Sequence, residues 1–126
     1  MTKTLKTEYN LEERTARFAE NTIDFCKKVK ITPINNSIIS QLVRSSTSVG
    51  ANYCEANGAS SKQDFKNKIF ICKKESQETK FWLRMIANSN PETKDTARTL
   101  WKETQELTLI FGKIISSLKI KKLEID

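Results

Sequence analysis

Three carboxylates, Glu55, Glu75 and Glu78, are the side chains of this sequence whose spacing could support chemistry. Glu75 and Glu78 lie three residues apart, which places them on one side of a helix, and Glu55 could face them from a neighbouring helix. Carboxylate oxygens are the ligands that hard cations prefer, so a divalent-ion site is one hypothesis. Structural pairing of these carboxylates with Lys or Arg is the alternative that we adopt, so we predict no metal.

The other groups that catalysis commonly uses are missing from the sequence. It contains no His, which removes the usual general base and the usual transition-metal ligand. Gly50, Gly58 and Gly112 are isolated, so no glycine-rich loop could cradle a phosphate. We therefore expect a protein that is not an enzyme and that needs no cofactor.

Basic residues are in excess, with a formal net charge of +7 at pH 7. At about 100° per residue, five cations of the third predicted helix fall within about 40° of one another. This basic stripe comprises Lys62, Lys66, Lys73, Lys80 and Arg84. It would extend over roughly 33 Å and could follow a phosphate backbone. Alternatively, the side-chain stems cover apolar surface and the charged ends stay in water.

The hydrophobic periodicity predicts a single all-α domain over residues 1–126, with helices at about 11–30, 36–57, 61–87 and 91–119. Asn10 and Ser61 are placed as helix caps, with Glu13 and Asp64 as the reciprocal partners that reach back. Asn90 is expected to cap the fourth helix before Pro91. A basic tail, 119–126, follows and is expected to fray. Short links between long helices predict an antiparallel up-down-up-down four-helix bundle.

Apolar and small residues at spacings of three and four define the expected core. In the third helix they are Phe65, Ile69, Cys72, Ser76, Thr79, Leu83 and Ile86, and in the fourth they are Leu100, Thr104, Leu107, Phe111, Ile114 and Leu118.

Cys26, Cys54 and Cys72 are widely separated and form no CxxC pair. Each lies in an apolar helical pattern, so we expect three buried free thiols and a reducing, cytoplasmic location. No apolar run approaches the roughly 20 residues that cross a bilayer, and the first ten residues lack a signal-peptide pattern.

The second helix carries a face of small and polar residues, at Gln41, Arg44, Ser45, Ser48, Asn52 and Glu55. Short side chains permit close helix approach, and Ser and Asn can form hydrogen bonds across it. We expect Arg44 to pair with a carboxylate of the next helix. A solvated polar face is the alternative.

The third helix has a second apolar sector, largely opposite its core side, formed by Phe70, Phe81 and Met85, with Ile71 and Trp82 farther round. One bundle core cannot cover both sides of a helix, so this sector predicts burial in another subunit or partner. Packing beneath loops or the chain ends is the competing explanation.

The segments QLVRSSTSVGANYCEA (41–56) and FKNKIFICKKESQETKFWL (65–83) resemble four-helix-bundle proteins of the 23S ribosomal RNA intervening-sequence family. The resemblance implies a homopentamer without enzymatic activity. It also implies kinship with the accessory proteins of diversity-generating retroelements, which bind nucleic acid and a reverse transcriptase. The positions implied as helix or subunit contacts are Arg44, Ser45, Ser48, Asn52, Glu55, Glu75 and Glu78.

The leading hypothesis from the sequence is an oligomeric scaffold that binds RNA or a nucleoprotein through the basic stripe. The alternative is a protein-interaction module for a partner enzyme, in which Phe81 and Trp82 matter and the lysines do not.

Overall fold

The computed structural model describes residues 10–125, and the side chains of residues 10–118. Four α-helices account for most of this range: α1 (Leu11–Lys28), α2 (Asn36–Asn57), α3 (Lys62–Ser89) and α4 (Lys94–Ile125). A 3₁₀ turn, Pro91–Thr93, precedes α4, and no strand occurs in the described range. The all-helical prediction is confirmed. Residues 1–9 and Asp126 lie outside the described residues.

Two of the predicted helix caps are present. Asn10 Oδ1 accepts a hydrogen bond from the Glu13 backbone N–H at 3.3 Å, and Ser61 Oγ accepts one from Asp64 at 3.0 Å. These side chains satisfy N–H groups that have no partner within the first turn of a helix. Asp64 does not bond back to Ser61 as expected, because its carboxylate accepts from the Ser60 N–H instead.

Asn90 does not cap α4 with its side chain, contrary to the prediction. The 3₁₀ turn uses the Asn90 backbone carbonyl, which accepts from the Thr93 N–H at 2.9 Å. Asn90 Oδ1 instead accepts from Asn35 Nδ2 at 2.9 Å. The start of α4 is therefore tied to the link between α1 and α2.

Asn35 organises that link from a fully buried position. Its Oδ1 accepts from the Thr32 N–H at 2.8 Å, and its Nδ2 also donates to the Lys30 carbonyl at 2.9 Å. A buried amide with every polar atom bonded avoids the cost of an unsatisfied group and fixes the chain around it. The sequence analysis missed this residue.

The core lies where the four apolar faces meet. Every predicted seam residue of α3 is buried except Phe65, which is half-buried. On α4 the prediction holds for Leu100, Thr104, Leu107 and Phe111, but Ile115 is buried in place of Ile114 and Leu118.

The order of contacts along α2 and α3 shows how these two helices pair. Asn35, just before α2, meets Asn90, just after α3, whereas Glu55 near the end of α2 meets Lys68 near the start of α3. The two helices therefore run side by side with their contacts in reverse order.

Arg14 connects α1 to α4 through two carboxylates. Its guanidinium donates two hydrogen bonds of 2.8 Å to Glu103 and one of 2.9 Å to Glu106. These hydrogen bonds, chiefly those to Glu103, raise the pKa of Arg14 further, so its charge is fixed at every physiological pH.

The C-terminal tail also departs from the prediction. The backbone of α4 continues as helix to Ile125, past the expected end near residue 119. None of the helices in the described range is long and apolar enough to cross a membrane.

Candidate functional site

The basic stripe lies along α3 with its cations at different depths. Lys62 and Arg84 are exposed, whereas Lys66, Lys73 and Lys80 are half-buried. Partial burial of these three lysines is what the alternative interpretation of the stripe expects.

Most of the stripe carries uncompensated charge. Within the described residues, no carboxylate pairs with Lys62, Lys66, Lys73 or Arg84, whereas Arg14, Arg44 and Lys68 each contact at least one. The positive potential of the stripe is therefore not cancelled by direct ion pairs there.

Lys80 differs from the other members of the stripe because α4 holds it. Its Nζ donates to Gln105 Oε1 at 2.6 Å and lies 5.4 Å from the centroid of the Trp101 ring. A cation at this distance from an indole face is attracted by the ring quadrupole. Lys80 therefore helps to orient Trp101.

Three cations of α4 beside Trp101 escaped the sequence analysis: Lys94, Arg98 and Lys102, all exposed. Their spacing of four residues puts them on one face of α4, and the fold brings that face next to Arg84. The spacing is visible in the sequence, but its relation to α3 depends on which helix faces meet.

Arg44 forms the ion pair that the sequence analysis expects with the next helix. Its guanidinium donates to Glu75 Oε1 at 3.1 Å and to Glu78 Oε2, and its Nε donates to Gln41 at 2.8 Å. Trp82 Nε1 donates to Glu78 Oε2 at 3.0 Å. The Trp82 hydrogen bond is the main reason that the pKa of Glu78 lies below its usual value, and Arg44 lowers it further.

Glu55, Glu75 and Glu78 are each paired with a cation of the same chain. Glu55 accepts from Lys68 Nζ at 2.7 Å, while Glu75 and Glu78 both face Arg44. No group of three or more His, Cys, Asp or Glu side chains that could hold a metal occurs among the described residues. The carboxylates serve helix pairing, the alternative adopted from the sequence.

The small side chains of this face of α2, Ser45, Ser48 and Asn52, make one cross-helix hydrogen bond among the described residues. Ser45 and Thr79 are fully buried, and their hydroxyl oxygens are hydrogen-bonded at 2.9 Å. Ser48 and Asn52 do not reach across, because Asn52 Nδ2 donates to the Ser48 carbonyl and hydroxyl of its own helix.

Gly50 is a point of close approach between α2 and α1. A Cβ at this position would lie 3.3 Å from Thr15 Oγ1 and 3.6 Å from the Thr15 backbone carbon. Thr15 is itself buried, with its hydroxyl bonded to the Leu11 carbonyl, so it has little room to move.

The second apolar sector of α3 lies largely at the surface. Phe81 is 51% exposed, and its ring packs edge-on against Trp82 with centroids 5.0 Å apart. Phe70 is also exposed, whereas Ile71, Trp82 and Met85 are half-buried. Loops and chain ends within the described range leave much of this sector uncovered.

The cysteines divide into two environments. Cys26 and Cys72 are buried as expected, and burial raises their pKa to about 11 and about 12. The prediction for Cys54 is wrong, because this residue is exposed. It lies one position beyond the half-buried Tyr53, on the solvent side of α2.

Comparison with known proteins finds a family model and a solved structure to which the chain is similar. A family model described as 23S rRNA-intervening sequence protein matches residues 7–113. The chain is also similar to a crystal structure from Bacteroides thetaiotaomicron, described as a protein with unknown function from the S23 ribosomal protein family. The two share 27% identity with a TM-score of 0.75, over 86% of this chain and 97% of that chain. No curated protein gives a significant match.

Proposed function

Because this chain belongs to the 23S rRNA-intervening sequence protein family, we propose that it is a scaffold that binds RNA or a nucleoprotein through the basic stripe of α3. We propose further that this scaffold is non-enzymatic, cytoplasmic and self-associating. The observation that carries this proposal is the lack of carboxylate partners for Lys62, Lys66, Lys73 and Arg84 among the described residues. Phosphates would supply the missing negative charge. Binding would release the counterions that surround RNA, and this release favours the complex.

The net charge alone supports the proposal less than its distribution does. Arg14, Arg44 and Lys68 are among the 22 basic residues, but their charges are compensated by carboxylates of the same chain. The stripe presents its charge in a row on one helix, which suits a polyanion with regularly spaced phosphates. Such contacts provide affinity with little sequence preference.

A charge-reversal experiment tests the RNA-binding proposal. The double variant Lys66→Glu/Lys73→Glu should lower the affinity for a structured RNA and reduce the slope of log K against log[salt] by about 1 for each phosphate that the protein no longer neutralises. The control Lys27→Glu/Lys30→Glu makes the same change in net charge at two exposed lysines away from the stripe. It should leave the slope close to that of the unmodified protein.

Equal effects of the two double variants would mean that the stripe has no special role and only net charge matters. Binding of the unmodified protein that does not weaken as salt rises would rule out the RNA-binding proposal.

The scaffold part of the proposal rests on the apolar sector of α3. We propose that its exposed surface, centred on Phe81, packs against a second copy, and that four helices in up-down-up-down order build a homopentamer. Light scattering should then give about five times the chain mass of 14.5 kDa. Phe81→Asp should lower that mass, whereas Leu109→Asp, which changes an exposed apolar residue on α4, should not. A single-chain mass at every concentration would contradict this proposal.

The edge-on pair of exposed Phe81 and half-buried Trp82 also favours a second candidate, a module that binds a partner enzyme. Under this alternative, co-purification with the enzyme should be lost in Phe81→Ala and retained in Lys66→Glu/Lys73→Glu. The opposite pattern would favour the RNA-binding scaffold.

A further inference from the structure

A groove of about 450 Å³ lies between α3 and α4 at the end of the basic stripe. Its apolar surface consists of Leu83, Ala87, Ala97 and the ring of Trp101. Trp101 is 39% exposed, which is unusual for so large an apolar ring. The volume falls within the roughly 300–1,000 Å³ typical of pockets that hold small molecules.

All charged residues that line this groove are cations: Arg84, Lys94, Arg98 and Lys102. Within the part of the chain that the structure describes, none of the four makes an ion pair. A ligand that complements the groove must therefore combine negative charge with a flat or apolar group.

We infer that this groove binds an unpaired nucleotide of RNA, with its base stacked on the Trp101 ring and its flanking phosphates on Arg84 and Arg98. This inference rests on the proposed function and names the form of RNA that the site would take. A nucleotide carries an aromatic face and an anionic phosphate in one unit, which matches a single indole ringed by cations.

The alternative ligand, an acidic amphipathic peptide, fits the groove less well. A helical peptide binds by several apolar anchors spaced over two turns, whereas this groove offers one large aromatic residue, one leucine and two alanines. Two of its four cations are Arg, whose planar guanidinium can bind phosphate through two parallel hydrogen bonds.

The position of Trp101 is already restrained before any ligand binds. Lys80 contacts its ring and is held by Gln105 of the same helix as Trp101. A ring that is ordered in advance loses less conformational freedom when a base stacks on it.

Binding to an eight-nucleotide oligoadenylate, compared with a mixed-sequence RNA duplex of sixteen base pairs, tests the inference. Trp101→Ala should weaken binding of the single strand by about 5-fold to 150-fold, the range that one base–aromatic stack provides. Binding of the duplex should change by less than about 2-fold, because its bases are already stacked on one another. Trp101→Phe should recover part of the single-strand affinity.

Two further variants distinguish base stacking from the effect of charge and from the general effect of removing an apolar side chain. Arg98→Gln should reduce the salt slope by about 1, whereas Trp101→Ala should leave the slope unchanged. Leu109→Ala removes an exposed apolar side chain elsewhere on α4 and should not affect either RNA. Circular dichroism and the urea midpoint show whether each variant is folded.

Several outcomes would overturn the inference. If Trp101→Ala leaves single-strand binding unchanged, or weakens single strand and duplex equally, no base stacks on Trp101. The proposed function would still stand in that case, provided that the unmodified protein binds RNA in a salt-dependent manner. If the unmodified protein binds neither RNA, the proposed function fails as well. Trp101-dependent binding of a Glu-rich, Phe-containing peptide without RNA binding would assign the groove to an acidic protein partner.

Discussion

The buried hydrogen bond between Ser45 and Thr79 gives a quantitative test of why α2 uses small polar residues at its centre. Both side chains have no exposed surface, and their hydroxyl oxygens are 2.9 Å apart. The informative change is Thr79→Val, which replaces the hydroxyl with a methyl group of similar shape. The partner change is Ser45→Ala, and the two together complete a double-mutant cycle.

The expected cost follows from what each hydroxyl loses. A buried hydrogen bond contributes about 1 kcal/mol net, and a donor left unsatisfied adds about 1 kcal/mol or more. After Thr79→Val, Ser45 retains only a 3.4 Å contact with the Leu42 carbonyl. We therefore expect Thr79→Val to lower the free energy of unfolding by about 1–2 kcal/mol. The coupling between Ser45→Ala and Thr79→Val should be about 1 kcal/mol, so the double variant is more stable than additivity predicts.

Urea unfolding followed by circular dichroism, at one fixed protein concentration, measures these differences. With a slope of roughly 2 kcal/mol/M, a loss of about 1 kcal/mol displaces the midpoint by roughly 0.5 M. Thr104→Val is the matched control, because Thr104 is equally buried and, like Thr79, bonds the carbonyl four residues earlier in its own helix, but it makes no cross-helix hydrogen bond among the described residues. This control should cost less than Thr79→Val.

Two results would refute the reasoning. If Thr79→Val and Thr104→Val cost the same, the cross-helix bond has no measurable value. If the effects of Ser45→Ala and Thr79→Val simply add, the two hydroxyls do not stabilise each other in solution.

Two other measurements follow from the pKa shifts. In the folded protein, Cys54 should react with a thiol reagent at pH 8, while Cys26 and Cys72 stay protected by their burial and their raised pKa. All three cysteines should react in denaturant. Fast labelling of all three in the folded state would contradict the buried positions of Cys26 and Cys72. Because the pKa of Glu78 is lowered in the folded state, its stabilising effect is present above its ordinary value of 4.5 and is lost as the pH falls through the folded-state value. The stability difference between the unmodified protein and Trp82→Phe should therefore shrink in acid, and a pH-independent difference would disprove the assigned cause.

The helices could be predicted from the sequence because their signals are local. The caps at Asn10 and Ser61, and the core spacing of α3, involve residues within one or two turns of each other. Asn90 was misassigned because its side chain is used by Asn35, which is 55 residues away in the chain. A contact of this kind leaves no periodic pattern in the sequence.

The candidate site was only partly predictable for the same reason. The stripe on α3 is visible from the spacing of its lysines, and Arg44 was recognised because a cation among small residues has few partners other than a carboxylate. The groove was missed, although Lys94, Arg98 and Lys102 recur every four residues. Its cations come from two helices, and only the tertiary packing places Arg84 and Trp101 beside each other.

The buried amide of Asn35 has a consequence for chemical ageing of the protein. Its Nδ2 points at two acceptors, the Lys30 carbonyl and Asn90 Oδ1. Deamidation would replace this donor with a carboxylate oxygen, so that three oxygens would face each other in a buried position. Hydrolysis of this one amide would thus break the contact between the link before α2 and the start of α4.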